Sequence, residues 1–202
     1  MNSILLSKGK KIYFTSDHHF GAPTKEASKP REKKFVKWLD HIKKDAQVLF
    51  ILGDLFDFWF EYKYAAPKGF TRVIGKLAEL SDEGIDIHFF VGNHDMWMRG
   101  YLEQEVNMKI YYKPHEFNIN NKKFYIGHGD GLGPNDKGYK RLKKVFKNSF
   151  FNWLYRWLHP DLGIRFAQYL SLKNKLISGS EDLKFVGKEQ EWLTQYARKK
   201  LK

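Results

Sequence analysis

Residues 48–60, VLFILGDLFDFWF, contain the pattern that decides the fold and the chemistry of this protein. The first five residues are all apolar, with the short length and the β-branched and aromatic composition of a buried strand. The run ends at Gly53 and Asp54, and a second acid, Asp57, stands among aromatic residues. An ionised carboxylate in apolar surroundings is costly to desolvate unless a cation compensates it. The stretch predicts either a polar turn or part of a cation site.

Three other short apolar runs resemble residues 48–52 and are also predicted to be strands: KIYFTS at 11–16, IDIHFFV at 85–91 and KKFYI at 122–126. Between the first three strands, apolar residues recur at helical spacing. One helix is predicted from Phe35, Leu39 and Ile42, and a second from Val73, Ile74, Leu77 and Leu80. Alternating strands and helices indicate a mainly parallel sheet with covering helices.

Each predicted strand is followed by residues that can bind a metal ion. The four exits read SDHHFG, GDLFD, GNHD and GHGD in chain order. In open α/β sheets, functional sites gather where the strands end. Carboxylate, amide and imidazole donors without thiolate suit divalent ions such as Mn²⁺, Fe²⁺ or Zn²⁺. Two such ions, bridged by a carboxylate, can clamp a phosphoryl group during in-line attack. The four exits together therefore predict a two-metal site, which would compensate Asp54.

Composition narrows the class of protein. The 202 residues suit one domain with a substantial core, with or without an insertion, and the absence of cysteine excludes disulfides and thiolate chemistry. No signal peptide and no spanning segment of roughly 18 apolar residues is evident, so we expect a cytoplasmic protein. The net charge of +13 is uneven, because residues 137–202 hold 16 of the 36 Lys and Arg but 5 of the 23 Asp and Glu. The excess of positive charge in residues 137–202 indicates an anionic partner.

The order D-x-H, GD, GNHD and GHGD is similar to that of the calcineurin-like metallophosphoesterases. The contexts SDHHFG, LGDLFDFW and HGDGLGPNDKGY resemble the UDP-2,3-diacylglucosamine hydrolases of the lipid A pathway within that family, and the likeness covers essentially the whole chain. It implies an α/β fold in which two mixed sheets form a sandwich flanked by helices, with a helical cap insertion. The expected divisions are a core at 1–136, a basic aromatic cap at 137–176 and a return helix at 177–202.

The resemblance also implies a ligand set for two divalent ions. Asp17 and His19 would bind the first ion, Asn93 and His128 the second, and Asp54 would bridge the two. We expect Mn²⁺, with Mg²⁺, Fe²⁺ and Zn²⁺ as alternatives, because this donor set accepts all four.

Further residues are candidates for the chemistry and for substrate binding. His94 lies where many family members carry a histidine near the leaving group, and it would act as a general acid or as a phosphate contact. Asp136 and Tyr139 match substrate-contacting positions of the subgroup. Lys173 and Lys175 are candidate phosphate contacts.

Three neighbouring residues have structural alternatives. Asp57 and Asp130 would either orient ligating histidines or cap turns. His18 is expected to be structural, because adjacent side chains of an extended strand point to opposite faces.

The basic, aromatic segment at 139–175 has three interpretations. It could pack on the core as an ordinary amphipathic helix, hold acyl chains beside anionic lipid headgroups, or form a nucleic-acid groove with aromatic stacking. Its large apolar residues exceed what one buried stripe needs, which favours the lipid interpretation.

The resemblance implies that water attacks the α-phosphorus of UDP-2,3-diacylglucosamine, releasing UMP and 2,3-diacylglucosamine 1-phosphate at the cytoplasmic face of the inner membrane. One alternative is the same site acting on a nucleotide or another phosphodiester. The other is a non-catalytic module that binds nucleic acid or membrane. We do not expect a nucleic-acid partner, and the sequence leaves the oligomeric state open.

One motif of the family does not occur in residues 1–202. Metallophosphoesterases of this kind complete the metal site with a late GHxH motif, and the sequence ends at Lys202 without it. We expect the natural protein to continue and supply these two histidines, rather than to be a degenerate relative. The 202 residues alone are expected to bind metal poorly and to be inactive.

Overall fold

A computed structural model describes residues 2–130, 137–167, 169 and 192–200, in two compact units, Met1–His128 and Gly129–Lys202. The first unit contains both strands and helices, whereas the described residues of the second unit form helices and no strand. In chain order the first unit contains β1 (Asn2–Ile4), β2 (Lys11–Thr15), α1 (Lys25–Ile42), β3 (Ala46–Ile51), α2 (Thr71–Asp82), β4 (Asp86–Phe90), α3 (Tyr101–Val106), β5 (Lys109–Tyr111), β6 (His115–Ile119) and β7 (Lys122–Ile126).

The larger sheet has the strand order β2-β3-β4-β5, and all its neighbouring strands are parallel. Side chains alternate across β3, so Leu49 and Ile51 pack in the same core cluster as the apolar residues of α1 and α2. Thr24 caps the start of α1 by accepting a hydrogen bond from the Ala27 amide at 3.2 Å. The helices therefore cover one face of the parallel sheet, as the sequence predicted.

The smaller sheet has the order β1-β6-β7, with β1 parallel to β6 and β6 antiparallel to β7. Its apolar side chains form a second core with the other face of the parallel sheet, and Phe50 of β3 packs edge-on against Phe117 of β6 at 5.0 Å between ring centroids. The buried members of this core are Val48, Phe50, Phe90, Phe117, Ile119 and Ile126. This is the expected sandwich of two sheets, although the larger sheet is wholly parallel in the described residues.

Three features differ from the simplest prediction. The strand at 122–126 forms as expected, but β7 belongs to the smaller sheet, so its exit reaches the others from across the sandwich. Three strands were not predicted: β1 and β5, whose three residues leave too little pattern to recognise, and β6, the five-residue partner of β7. Helix α1 begins at Lys25, earlier than the apolar spacing indicated, and includes Pro30 in its second turn.

The second unit contains α4 (Lys137–Lys147), α5 (Ser149–Arg156), α6 (residues 160–167) and α7 (Trp192–Lys200). Asn148 caps α5 by accepting a hydrogen bond from the Phe150 amide at 2.9 Å, and no residue of α5 is buried. None of the helices in the described residues is long and apolar enough to cross a membrane. The expected boundaries of the cap and the return helix stay predictions.

The core between the sheets yields a stability prediction. Phe50→Ala should lower the free energy of unfolding by about 3–5 kcal/mol, because it removes a ring that contacts both sheets and leaves a cavity. Leu5→Ala is the control, since Leu5 is 70% exposed, and it should change stability by less than about 0.5 kcal/mol. Equilibrium urea unfolding followed by circular dichroism measures both. Equal effects would contradict this description of the core.

Candidate metal centre

The loops after β2 and β3 remain hydrogen-bonded to each other beyond the ends of the two paired strands. Asp17, His19 and Asp54 have positive φ values of 56°, 45° and 52°. The Asp17 amide donates to the Gly53 carbonyl at 3.1 Å, and the His19 amide donates to the Asp54 carbonyl at 2.9 Å. Left-handed backbone at residues other than glycine is strained, by on the order of 1–3 kcal/mol each. Three such residues in facing loops indicate that the direction of their side chains is maintained despite the strain in the backbone.

The Asp54 carboxylate is at the centre of the cluster and is 3% exposed. Its Oδ1 accepts a hydrogen bond from the His94 amide at 3.0 Å. Its Oδ2 lies between two imidazoles, 3.6 Å from His19 Nε2 and 3.5 Å from His128 Nε2. Burial opposes ionisation of Asp54, but the neighbouring His128 and His94 outweigh it, so the pKa of Asp54 lies below its ordinary value. The structure thus keeps a charged carboxylate in an enclosed position.

His128 is oriented by a backbone carbonyl. Its Nδ1 lies 2.7 Å from the Leu52 oxygen, and because a carbonyl can only accept, Nδ1 carries the proton. The other ring nitrogen, Nε2, faces Asp54 and Asn93, whose Oδ1 is 3.3 Å away. Metal-binding histidines usually donate their second ring N–H in this way. The exit of β7 therefore presents a histidine with the tautomer that ligation needs.

His94 and His19 converge on Asp57. The Nδ1 atom of His94 donates to the Asp57 carbonyl at 2.8 Å. One carboxylate oxygen of Asp57 lies 3.7 Å from the same Nδ1 and 3.5 Å from Nδ1 of His19, and the two imidazoles are 4.7 Å apart at their centroids. The Asp57 carboxylate therefore faces both rings, and whether it orients them or caps a turn stays a prediction.

Two glycines allow the loops to approach this closely. A Cβ atom on Gly92 would lie 2.0 Å from Asp54 Oδ1 and 2.6 Å from the Asp54 amide nitrogen. A Cβ atom on Gly53 would lie 2.6 Å from His128 Nδ1, and Gly53 also has a positive φ of 90°. Both positions require glycine for steric reasons.

The donor atoms fit divalent metal ions. His19, Asp54 and His94 form one group, and Asp17, Asp54 and His128 form a second, with the donor atoms of each group within 4.8 Å of one another. The separations of about 3.5 Å around Asp54 Oδ2 are too long for strong hydrogen bonds, yet two donors that each lie roughly 2.1 Å from one ion can be this far apart. His19 Nδ1 is also buried without a hydrogen-bond partner. Asp54 belongs to both groups, whereas Asp17 is grouped with His128 and not with His19, and the bridging role of Asp54 stays a prediction.

Asp95 was missed by the sequence analysis, although it ends the GNHD motif. It is fully buried, and its two carboxylate oxygens accept hydrogen bonds from the amides of Gly92 and Leu55, both at 2.8 Å. Asp95 thereby ties the loop after β4 to the loop after β3. Burial, and after it the charge of Asp54, raises the pKa of Asp95 to about 7. The GNHD motif was the signal that could have identified Asp95. Its final Asp directly follows Asn93 and His94, and an acid buried there needs hydrogen-bond partners.

His18 turns away from the cluster, as predicted, but for a different reason. Its ring packs against Phe20 and Phe35 at 5.2 and 4.3 Å between centroids, and burial lowers the pKa of the imidazole to about 4. The segment is not an extended strand at this point. The left-handed backbone on both sides of His18, at Asp17 and His19, separates the side chains.

The substrate-contact predictions lie outside the described part of the structure. Residues 136, 173 and 175, the predicted Asp136, Lys173 and Lys175, are not among the described residues, and of Tyr139 only the helical backbone of α4 is described. Asp130 belongs to the second unit, where its carboxylate accepts a hydrogen bond from Lys143. Its orienting role stays a prediction.

Comparison with known proteins places this geometry in a family. The model of the calcineurin-like phosphoesterases matches residues 10–197. The chain belongs to the calcineurin-like phosphoesterase family. Family membership implies divalent metal ions, and the His and Asp groups around Asp54 are the candidate ligands.

Two curated relatives of this phosphoesterase carry the same name. A Porphyromonas gingivalis protein named UDP-2,3-diacylglucosamine hydrolase is 37% identical over 201 residues, covering 93% of this chain and 76% of the relative. A Histophilus somni protein of the same name is 26% identical, covering 92% and 77%. Among solved structures, AQ665 of Aquifex aeolicus, described as a protein of unknown function, is 19% identical over 67% of this chain with a TM-score of 0.42. The family assignment therefore depends on the sequence comparisons.

The close approach of Gly92 to Asp54 yields a prediction about metal affinity. Gly92→Ala should weaken Mn²⁺ binding at least about tenfold, because the new methyl group displaces the Asp54 carboxylate. Gly75→Ala is the matched control, since its Cβ would meet no atom within 4 Å inside α2. It should leave metal affinity unchanged and stabilise the protein by about 0.5–1 kcal/mol. Calorimetric titration with Mn²⁺ and thermal unfolding test both, and wild-type affinity in Gly92→Ala would contradict the assignment.

Proposed function

We propose that this phosphoesterase hydrolyses the diphosphate of UDP-2,3-diacylglucosamine to UMP and 2,3-diacylglucosamine 1-phosphate, a step of lipid A biosynthesis. The observation that carries the proposal is the 37% identity to the Porphyromonas gingivalis hydrolase across 93% of this chain. The cluster around Asp54 supports the reaction class, because it presents oxygen and imidazole donors suited to hydrolysing a phosphate ester.

The proposed ligands are Asp17, His19, Asn93 and His128, with Asp54 between them. Bound divalent ions would neutralise charge on the diphosphate and lower the pKa of the attacking water. Contacts within the protein position these ligands. The Leu52 carbonyl accepts from His128 Nδ1, Asp57 lies 3.5 Å from His19 Nδ1, and Asp95 joins the two loops. Mn²⁺ is the proposed metal, because carboxylate, amide and imidazole donors together suit it.

His94 is proposed to act on the leaving group or on a phosphate oxygen. Because Nδ1 donates to the Asp57 carbonyl, Nε2 is the ring atom left for the substrate. In the imidazolium form Nε2 can donate a proton to the departing phosphate, and in the neutral form it can only accept a hydrogen bond. The tautomer thus restricts both proposed roles to one atom.

The second unit is proposed to hold the acyl chains and to contact the anionic inner membrane from the cytoplasmic side. Helix α5 supports this, since none of its residues is buried and its large apolar side chains are exposed in a helix that ends at Arg156, with Trp157 as its C-cap. The exposed fractions are 61% for Phe150, 47% for Phe151, 53% for Trp153, 52% for Leu154 and 75% for Trp157. A contiguous apolar surface of this kind marks an interaction site, and neighbouring cations suit anionic headgroups.

Asp54→Asn tests the catalytic centre. The amide keeps the shape but not the charge between His19 and His128, so we expect kcat/KM to fall at least about 10³-fold. Asp82→Asn, on the exposed end of α2, is the matched control and should leave the rate unchanged. Full-length protein is assayed with UDP-2,3-diacylglucosamine and Mn²⁺, and UMP is measured. A fully active Asp54→Asn variant would refute the site.

The position of attack and the substrate class can be read in the same assay. In ¹⁸O-labelled water, attack at the α-phosphorus puts the label in UMP, whereas attack at the β-phosphorus puts it in the sugar phosphate. A simple cyclic nucleotide serves as the comparison substrate. Turnover of the cyclic nucleotide without turnover of the acylated substrate would favour a general phosphodiesterase instead.

Trp157→Ser tests the lipid surface. Losing a large apolar side chain should weaken binding to vesicles containing anionic phospholipid by about tenfold, from roughly 1.5 kcal/mol of burial. Leu5→Ser removes a similarly exposed apolar residue from the first unit and should have little effect. Co-sedimentation with vesicles measures both variants. Equal binding of Trp157→Ser and the unsubstituted protein would contradict the proposed surface.

A further inference from the structure

The first turns of α1 contact the loop that carries Asp17 and His19. Arg31 donates from Nη2 to the carbonyl oxygen of His19 at 3.1 Å, and the same nitrogen donates to the carbonyl oxygen of Ala22. Ser28, fully buried, accepts a hydrogen bond from the Gly21 amide at 2.8 Å. None of these α1 residues takes part in the mechanism proposed above.

Ser28 is in turn hydrogen-bonded to a buried carboxylate, that of Glu32. Glu32 is 1% exposed, and its two oxygens accept hydrogen bonds from Ser28 Oγ at 3.3 Å and Lys29 Nζ at 3.0 Å. The hydroxyl of Ser28 therefore donates to Glu32 while it accepts from the loop. This arrangement links the loop to the buried carboxylate of α1 through Ser28.

His19 needs such support, because its φ of 45° is strained for a residue with a side chain. Its amide donates to the Asp54 carbonyl at 2.9 Å, and its carbonyl accepts from the Ala22 amide at 3.1 Å and from Arg31. A strained conformation persists only where its surroundings over-determine it. Among these groups, Arg31 supplies the side chain that holds the carbonyl side of His19.

We infer that Arg31 is a positioning residue for the metal centre, fixing the His19 backbone so that the imidazole faces Asp54; the inference rests on the proposed function. The guanidinium suits this task, because its planar Nη2 group carries two N–H donors, one for each of the two carbonyl groups. Arg31 contacts no proposed reacting group and acts through His19 alone.

The sign of the effect separates positioning from simple electrostatics. Arg31 is a cation near a site for divalent cations, so its charge alone weakens metal binding. Removing it would then raise metal affinity. Positioning predicts the opposite, since loss of a residue that orients a ligand typically lowers metal affinity 10–100-fold.

Arg31→Met is the test, and Lys33→Met is the matched control. Lys33 is exposed on the same helix two residues further on, so its loss removes one positive charge without touching the loop. Calorimetry gives Mn²⁺ affinity, and the visible absorption of bound Co²⁺ reports the ligand geometry. We expect Arg31→Met to bind Mn²⁺ at least about tenfold more weakly, with an altered Co²⁺ spectrum, and Lys33→Met to bind as tightly as the unsubstituted protein or more tightly.

Arg31→Lys keeps the charge but loses the planar, pre-organised guanidinium, so its affinity should fall between those of the unsubstituted protein and Arg31→Met. It also carries the comparison if circular dichroism shows that Arg31→Met is unfolded. Wild-type affinity and spectrum in both Arg31 variants would overturn the inference alone. Absence of metal binding by the unsubstituted full-length protein would overturn it together with the proposed function.

Discussion

The structure depends on one constraint, that a buried carboxylate must be compensated. Asp54 is almost fully enclosed, yet the surrounding histidines keep its pKa low. No Lys or Arg ion pair to it is found among the described residues. Imidazole at 3.5 Å compensates a carboxylate only partly when neutral, so the cluster is suited to bound cations. The loops after β2, β3, β4 and β7 are arranged around this requirement.

The loops contain strained backbone conformations, and the contacts that surround the loops stabilise them. Asp17, His19 and Asp54 are held in left-handed conformations, and Gly92 leaves room for the Asp54 carboxylate. Hydrogen bonds from Asp95 and Arg31 then fix the loops from outside. These contacts define the positions of the candidate ligands within the loops.

The two units carry different parts of the proposed function. The first presents the acidic and imidazole groups that suit phosphate chemistry, within a sandwich whose core is closed by Phe50 and Phe117. The second carries most of the net positive charge and, on α5, large apolar side chains that are exposed. A substrate with a diphosphate and two acyl chains offers a partner for both kinds of surface.

The sequence by itself determined the α/β class, four of the strands, the helices α1 and α2, and the residues that converge on Asp54. These were predictable because apolar periodicity and the polar residues after each strand are local features of the chain. Tertiary structure alone decided that β7 lies in the second sheet, because its pairing with β6 depends on a partner and not on its own pattern. It also decided the tautomers of His94 and His128 and the roles of Asp95 and Arg31, since each depends on a carbonyl or amide group of a loop that the local pattern does not place.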